Sequence, residues 1–237
     1  MTRMLASVRS LDEARMMLRG GADIIDLKEP ADGVLGALPI SVVREIVVEV
    51  NGSRPLSATI GDVDGDPDRL GMAIVAMAKT GVEFVKVGLF GRSDPAKLLR
   101  ALRDLADPGI RVVLVMFAEH NGHHIDLDDV AAAGISGVMM DTVDKSSGSL
   151  LQKVPLNDLD DFVQGARHRG LMSGLAGALR AEDIPDLLPL APDYLGFRGA
   201  LCKGGGREQR VCVRRAQIIR TLITEPARDT DVAQIRR

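Results

Sequence analysis

The sequence lacks tryptophan and has few other aromatic residues, which together make up 3% of its 237 residues. A core must therefore be built from Val, Ile, Leu, Ala and Met, the residue types that fill parallel-sheet interiors. Two cysteines, Cys202 and Cys212, are too few for a disulfide framework. No apolar run approaches the ~20 residues of a membrane span, and no secretion signal is evident. The sequence predicts a cytoplasmic protein without a membrane partner.

Excess charge of one sign is also missing, because the formal net charge is −3. Bulk electrostatic attraction to nucleic acid is therefore not expected, although a local basic pocket is allowed. Apolar residues make up 46% and charged residues 27% of the chain, which is typical of a globular protein. The length fits one closed β/α barrel, which usually needs roughly 250 residues.

A repeated pattern of a short apolar run, a loop and a longer segment with helical periodicity recurs about eight times. Eight such units can close into a single (β/α)8 TIM barrel, which we predict over residues 1–224, with a flexible tail over 225–237. The predicted strands are Met4–Val8, Asp23–Lys28, Pro55–Ile60, Val82–Val87, Arg111–Phe117, Gly137–Asp141, Leu171–Leu175 and Tyr194–Arg198.

Helix starts are marked by residues that accept hydrogen bonds from free backbone N–H groups. Ser10 to Glu13 has the spacing of a capping box. Asp66 and Asp94 each precede a proline, and Asn157 is a further predicted helix start.

Charged residues lie at the carboxyl ends of the even-numbered strands, where a β/α barrel carries its catalytic groups. They are Lys28, Lys86, Asp141 and Arg198, and two-residue periodicity points Asp26 the same way as Lys28. Each lysine alone could simply cap a strand or pair with a carboxylate. Four charged groups at one end favour a functional site, because burying charge is costly.

Two neighbouring lysines have a specific chemical meaning. Repulsion and desolvation both favour the neutral amine. Lowering the pKa of a lysine from about 10.4 to about 7 would leave about half of it neutral at pH 7. A neutral amine is a nucleophile suited to imine formation with an aldehyde or ketone.

The loops after strands seven and eight commonly hold phosphate in this fold. Here both are rich in glycine, which permits close backbone approach, and Arg207 adds charge to the second loop. The predicted phosphate-binding or substrate-binding residues are Asp26, Gly174, Ala176, Gly177, Arg198, Gly199, Lys203, Gly204 and Gly205. Neither loop has a nucleotide-binding motif.

Weaker signals lie after strand five and in the last loop. Glu119 to His124 contains three histidines without a recognised metal-ligand spacing, so we interpret them as polar loop residues. Cys202 has no convincing histidine partner and is interpreted as a spectator.

Five ordered segments carry a resemblance to a known family over nearly the whole barrel. They are Gly20–Lys28 (GGADIIDLK), Ser57–Asp62 (SATIGD), Val85–Leu89 (VKVGL), Met140–Thr142 with Lys145, and Gly199–Gly205 (GALCKGG). In these segments the chain resembles the (5-formylfuran-3-yl)methyl phosphate synthase family of methanofuran biosynthesis.

The resemblance implies a lyase that joins two molecules of glyceraldehyde 3-phosphate, cyclises and dehydrates them, and releases one phosphate. It implies no organic cofactor and no metal. Lys28 would form the Schiff base, Lys86 would act as general base, and Asp141 and Lys145 would assist proton transfer or orient substrate. Many other barrel aldolases carry the imine lysine on strand six, so Lys145 is the alternative nucleophile.

Two other functions use the same features. A simpler class I aldolase or a cofactor-free sugar-phosphate isomerase would need the same fold, phosphate loops and lysine. A barrel that binds a phosphorylated ligand without catalysis would also keep the loops. The oligomeric state is left open, and a homo-oligomer is compatible with the sequence.

Overall fold

The computed structural model describes residues 1–63, 66–91, 94–105, 109–120, 125–144 and 147–225. Eight parallel strands close in chain order into a barrel, because β8 pairs with β1 through Tyr194 opposite Arg3. This confirms the predicted TIM barrel. The strands are β1 Arg3–Val8, β2 Ile24–Leu27, β3 Leu56–Thr59, β4 Phe84–Leu89, β5 Arg111–Phe117, β6 Gly137–Asp141, β7 Met172–Leu175 and β8 Tyr194–Phe197.

Helices follow the strands and cover the outside of the barrel. The α-helices within the described residues are α1 Leu11–Arg19, α2 Ile40–Val50, α3 Pro67–Ala78, α4 Pro95–Asp104, α5 Leu127–Ala132, α6 Leu150–Lys153, α7 Leu156–His168, α8 Ile184–Leu187 and α9 Val213–Thr224. Short 3₁₀ turns include Gly199–Leu201 and Lys203–Gly205. None of the helices in these ranges combines the length and the apolar character required to cross a membrane.

The core has two layers that follow the two-residue periodicity of the strands. Phe84 packs inside the barrel with residues such as Tyr194, whereas Val85 and Val87 pack between the sheet and the helices. The alternation predicted for β4 is therefore confirmed. It directs the side chain of Lys86, which has the same parity as Phe84, into the barrel.

Several predicted helix starts are confirmed. Asp66 and Asp94 each accept hydrogen bonds from two backbone N–H groups of the following helix. Ser10 accepts from the Glu13 amide, but the Glu13 carboxylate bonds the Arg9 amide instead of closing a capping box. The start predicted at Asn157 is wrong by a small margin, because α7 already begins at Leu156.

Strand β4 extends two residues further than predicted, to Leu89. Lys86 is therefore the third residue of six in its strand and lies below the barrel rim. Gly88 directly follows the predicted strand and is part of β4 in the structure. A Cβ atom there would lie 2.6 Å from Phe90 Cε2 and 2.7 Å from Leu35 Cδ1, so these side chains would have to move.

Candidate active site

A cavity of about 960 Å³ opens at the carboxyl ends of the strands. This is the end of a β/α barrel at which active sites form. Among the predicted site residues, those lining the cavity are Lys28, Lys86, Asp141, Ala176, Gly177, Arg198, Gly199 and Gly205. The structure thus brings together side chains and loops from both halves of the chain.

Asp26 and Lys86 form a buried ion pair at the base of the cavity. Lys86 Nζ lies 2.7 Å from Asp26 Oδ1, and the two side chains are 2% and 0% exposed. Ser57 Oγ donates to the same carboxylate oxygen at 2.7 Å, and Ser7 Oγ donates to Asp26 Oδ2 at 2.8 Å. Both carboxylate oxygens therefore have donors, as a buried charge requires.

The environment of Asp26 keeps its carboxylate ionised. Burial is the largest single influence and raises the pKa of Asp26, but it is outweighed by the positive charges of Lys86 and Lys28 and by hydrogen bonds from Lys86 and Ser57. The resulting pKa lies below the ordinary value of 3.8. Asp26 is therefore negatively charged at neutral pH and interacts electrostatically with both lysines.

Lys28 follows β2 directly and is 6% exposed. Its Nζ donates to the backbone carbonyl of Val34 at 3.2 Å. Because Lys28 has the parity of Asp26 and also lines the cavity, its amine is held at the cavity wall by the loop between β2 and α2.

Asp141 ends β6 and is 2% exposed. Its Oδ1 accepts a hydrogen bond from the Thr142 amide at 2.7 Å. The neighbouring loop packs closely here, since a Cβ atom on Gly177 would lie 2.7 Å from Thr142 Cγ2. Lys145, the alternative nucleophile, lies outside the described residues.

Arg198 lines the cavity, yet its guanidinium is directed at the barrel wall. Its Nη1 and Nη2 bond Glu13, with Nη1 2.5 Å from Glu13 Oε2. Its other N–H groups donate to the carbonyls of Ser7, Arg207 and Gln209. All five donors are therefore occupied and the charge is compensated, which reduces what Arg198 can offer a phosphate.

Gly174 and Gly177, within and just after β7, are required for two different reasons. Gly174 lies within β7, and a Cβ atom there would lie 2.2 Å from Tyr194 Cζ. Burial raises the pKa of this tyrosine, and Asp26 raises it further. Gly177 lies in the loop at the cavity, with a φ of +111°. Gly174 therefore makes room for an aromatic ring below the site, whereas Gly177 makes part of the site surface.

The loop after β8 presents some of its predicted residues to the cavity and others to solvent. Gly199 and Gly205 line the cavity, whereas Lys203 and Gly204 are exposed and are absent from the described lining. Positive φ values at Gly204 and Gly205 turn the chain back so that Cys202 forms an antiparallel bridge with Val211.

Sequence reasoning missed three arginines that line the outer part of the cavity: Arg180, Arg214 and Arg215. Arg214 and Arg215 lie in the first turn of α9. The signal was available, because the helix after the last strand starts at the mouth of a β/α barrel.

Cys202 and His120 do not belong to the described lining of the cavity. Burial raises the pKa of the Cys202 thiol, which donates to the carbonyl of Arg198. Within the part of the chain that the structure describes, no three His, Cys, Asp or Glu side chains are grouped to hold a metal ion. His123 and His124 lie outside that part.

Solved structures with the same architecture include phosphoribosyl anthranilate isomerase from Thermus thermophilus, with a TM-score of 0.65 and 11% identity. Another is 3-hexulose-6-phosphate synthase from Salmonella typhimurium, with a TM-score of 0.64 and 16% identity. In each case 95% of this chain and 100% of the other chain are covered. At this level of identity the likeness concerns the fold alone.

Sequence relatives are more specific. A (5-formylfuran-3-yl)methyl phosphate synthase of Methanopyrus kandleri is 36% identical, covering 93% of this chain and 97% of the relative. That of Methanosarcina acetivorans is 33% identical, covering 94% and 98%. A Methylorubrum extorquens protein provisionally given the same name is 45% identical, covering 96% and 94%. The family model described as 4-HFC-P synthase matches residues 4–220. The chain therefore belongs to the (5-formylfuran-3-yl)methyl phosphate synthase family.

Proposed function

We propose that this protein is an enzyme that makes (5-formylfuran-3-yl)methyl phosphate from two molecules of glyceraldehyde 3-phosphate. The names of its relatives support the product. The observation that carries the chemistry is the placement of Lys28 and Lys86 around the ionised carboxylate of Asp26 beneath an open cavity. The reaction releases one phosphate and two water molecules without net oxidation. Since phosphate leaves from carbon, we class the enzyme as a carbon–oxygen lyase.

Lys28 is the proposed nucleophile. Its neutral amine attacks the aldehyde carbon of one triose, the carbon–oxygen bond breaks, and water leaves as the imine forms. Two neighbouring ammonium groups repel each other, which favours loss of a proton from one of them. The protonated imine then withdraws electrons and makes the adjacent C–H acidic.

Lys86 is the proposed proton carrier. As an ammonium group paired with Asp26, it first donates a proton to the hydroxyl group on the carbon that is bound to Lys28. That hydroxyl group then leaves as water. The neutral amine that remains then accepts the acidic C–H proton and acts as the general base. The resulting enamine expels the phosphate from the third carbon of this triose and leaves an enol attached to Lys28. Through that carbon, the enol attacks the keto carbon of the second triose, which has first isomerised from the aldehyde to the ketone. Asp26 thus acts on the substrate indirectly, through its ion pair with Lys86.

Asp141 and Lys145 are proposed to move protons in the later steps. Asp141 lines the cavity on the β6 side, opposite β2, where it can reach a second triose. There it would protonate or deprotonate hydroxyl groups during ring closure and loss of water. For Lys145 the same role is proposed, and the family resemblance supports it.

The loops after β7 and β8 are proposed to hold the phosphate that the product keeps. Backbone at Ala176, Gly177, Gly199 and Gly205 lines the cavity and can approach an anion closely. Lys203 and Gly204 are proposed to contribute from the solvent side of the loop. Arg198 and Gly174 are proposed to support the site from its wall and from below.

Incubation of the purified protein with glyceraldehyde 3-phosphate tests the function. We expect a furan-like ultraviolet chromophore and free phosphate in equal molar amounts. Isomerisation or simple aldol addition would give neither, and a non-catalytic binding protein would leave the substrate unchanged. A matched reaction with the Lys28→Met variant controls for spontaneous decay of the triose phosphate.

A further inference from the structure

One side chain joins two loops across the mouth of the barrel. Arg207 lies in the loop after β8, and its Nη2 donates to the backbone carbonyls of Pro30 at 2.6 Å and Gly33 at 2.7 Å. Both acceptors belong to the loop between β2 and α2. A charged donor makes stronger hydrogen bonds to carbonyls than a neutral one does.

The backbone of Arg207 is itself fixed by a hydrogen bond from Arg198. Its backbone carbonyl accepts a hydrogen bond from Arg198 Nε at 2.7 Å. Arg198 is in turn anchored by the buried carboxylate of Glu13. The arginine that crosses the mouth is therefore attached to one of the most firmly bonded side chains in the barrel wall.

The loop that Arg207 contacts is buried and hydrogen-bonded to the barrel at Leu35 and Gly36. Leu35 is 1% exposed, and its carbonyl accepts from the Gly61 amide. The Gly36 carbonyl accepts from Thr59 Oγ1. By contrast, residues 31–33 are exposed. Arg207 supplies two long-range hydrogen bonds on this exposed side, where the Asp62 side chain also lies close to Gly33.

The position of that contact matters because of Lys28. The Lys28 amine donates to the carbonyl of Val34, which directly follows the Gly33 carbonyl that Arg207 binds. Neighbouring peptide groups are joined at a Cα atom where only a few φ/ψ combinations are sterically allowed, so fixing one group restricts the orientation of the next. The hydrogen bonds thus form a chain from Arg207 through residues 33 and 34 to the Lys28 amine.

We propose that Arg207 is a positioning residue that orients the Lys28 amine by clamping the loop at residues 30–34. The effect of the clamp on turnover rests on the proposed function, in which Lys28 forms the imine. Arg207 was expected to bind phosphate; its bonds to two carbonyls assign it the clamping role instead.

The test compares Arg207→Met and Arg207→Lys with a matched control, Arg210→Met. Arg210 lies in the same loop but is exposed, with only a 3.8 Å surface contact to Asp12. Three quantities are measured: hydrogen exchange of peptides covering residues 29–36, the rate of reductive methylation of Lys28 by formaldehyde and borohydride, and kcat and KM for glyceraldehyde 3-phosphate. Circular dichroism and thermal unfolding check that each variant folds.

For Arg207→Met we expect faster exchange at residues 31–34, an altered methylation rate at Lys28 and a kcat lowered about 10- to 100-fold, since small misplacements of reacting groups are costly. KM and inhibition by inorganic phosphate should change less than about threefold, as expected when a transition-state contribution is lost. Arg207→Lys should recover part of the kcat, and Arg210→Met should match the wild type.

A large rise in KM and in the phosphate inhibition constant, with kcat unchanged, would make Arg207 a phosphate ligand and overturn the proposal. Unchanged exchange and unchanged Lys28 methylation would also overturn it. If the wild type made no furan product while hydrogen exchange and Lys28 methylation both changed in Arg207→Met, the proposed function would fail and the clamp would be supported. If Arg207→Met failed to fold, the same criteria would be applied to Arg207→Lys.

Discussion

Two buried ion pairs near the mouth of this barrel have the same charges but different surroundings. Lys86 pairs with Asp26 inside the barrel, and Arg198 pairs with Glu13 at its wall. All four side chains are less than 10% exposed. However, every N–H group of Arg198 has an acceptor, whereas the Lys86 ammonium combines one strong contact with direct access to the cavity.

Under the proposed function, this difference separates a charge that stabilises the fold from one that takes part in the reaction. A buried charge must be compensated in either case. Hydrogen bonds to several fixed partners leave Arg198 no donor to offer a substrate. A single carboxylate partner holds the Lys86 amine in place while the cavity keeps it accessible. Burial alone therefore does not identify a catalytic residue. The number of hydrogen-bond partners and access to the cavity distinguish the two kinds of buried charge.

The largest expected effect lies on the chemical side of this comparison. Lys86→Met should lower kcat/KM for furan formation about 10³-fold, within the range for loss of a general acid–base group. Lys79→Met, at the exposed end of α3, is the matched control and should retain full activity. Stopped assays of the ultraviolet product measure both variants. A loss below about fivefold in Lys86→Met would remove Lys86 from the mechanism.

On the structural side, Arg198→Met should destabilise the fold by about 3–5 kcal/mol, because Glu13 would remain buried without its partner. Urea unfolding measures the change. The Arg198→Met/Glu13→Gln double variant should recover part of the loss, since no buried charge then remains unpaired. Arg111→Met breaks a largely exposed pair with Glu83 and should cost less than about 1 kcal/mol. Equal losses of unfolding free energy in Arg198→Met and Arg111→Met would contradict the distinction between the buried and the exposed ion pair.

A third substitution probes the packing beneath the inner ion pair. Gly174→Ala would place a methyl group against the Tyr194 ring and should cost about 1–3 kcal/mol through overpacking. Gly71→Ala is the control, because a Cβ atom on this α3 residue would make only an ordinary 3.4 Å contact with Leu105 Cδ2. That control should be neutral or stabilising by up to about 1 kcal/mol. Urea unfolding of both variants decides, and a neutral Gly174→Ala would contradict the close packing.

The smallest expected effect is a pH dependence of stability. The pKa of Asp26 is lowered in the folded state, so its contribution to stability is complete above the unfolded value of about 4 and is lost as the pH falls through the folded value. Asp26→Asn should therefore show a shallower loss of stability below about pH 4 than the wild type.

Asp128 provides the matched control for that measurement. Its pKa is also lowered, by a hydrogen bond from Arg169, but the carboxylate is exposed. Asp128→Asn should change the acid limb less, and added salt should remove the difference. If 0.5 M salt, where the screening length is only a few ångströms, abolished the Asp26 effect too, its buried character would be contradicted.

The barrel could be predicted from the sequence because each unit repeats the same local pattern, and strand parity could be read from alternation. That placed Lys28, Lys86 and Asp141 at one cavity. The depth of Lys86 could not be predicted, because β4 continues through Gly88, where a Cβ atom would meet Phe90 and also Leu35, a residue of another loop. The partner of Arg198 is equally hidden, since Glu13 lies 185 positions away in the chain.

The central claim is that Lys28 carries the imine, and borohydride trapping tests it most directly. The wild-type protein is reduced in the presence of glyceraldehyde 3-phosphate, digested, and mapped by mass spectrometry. We expect a triose-derived mass on the peptide containing Lys28, and no adduct in Lys28→Met. An adduct on Lys86 or Lys145 in the wild type, or no adduct on any lysine, would contradict the claim.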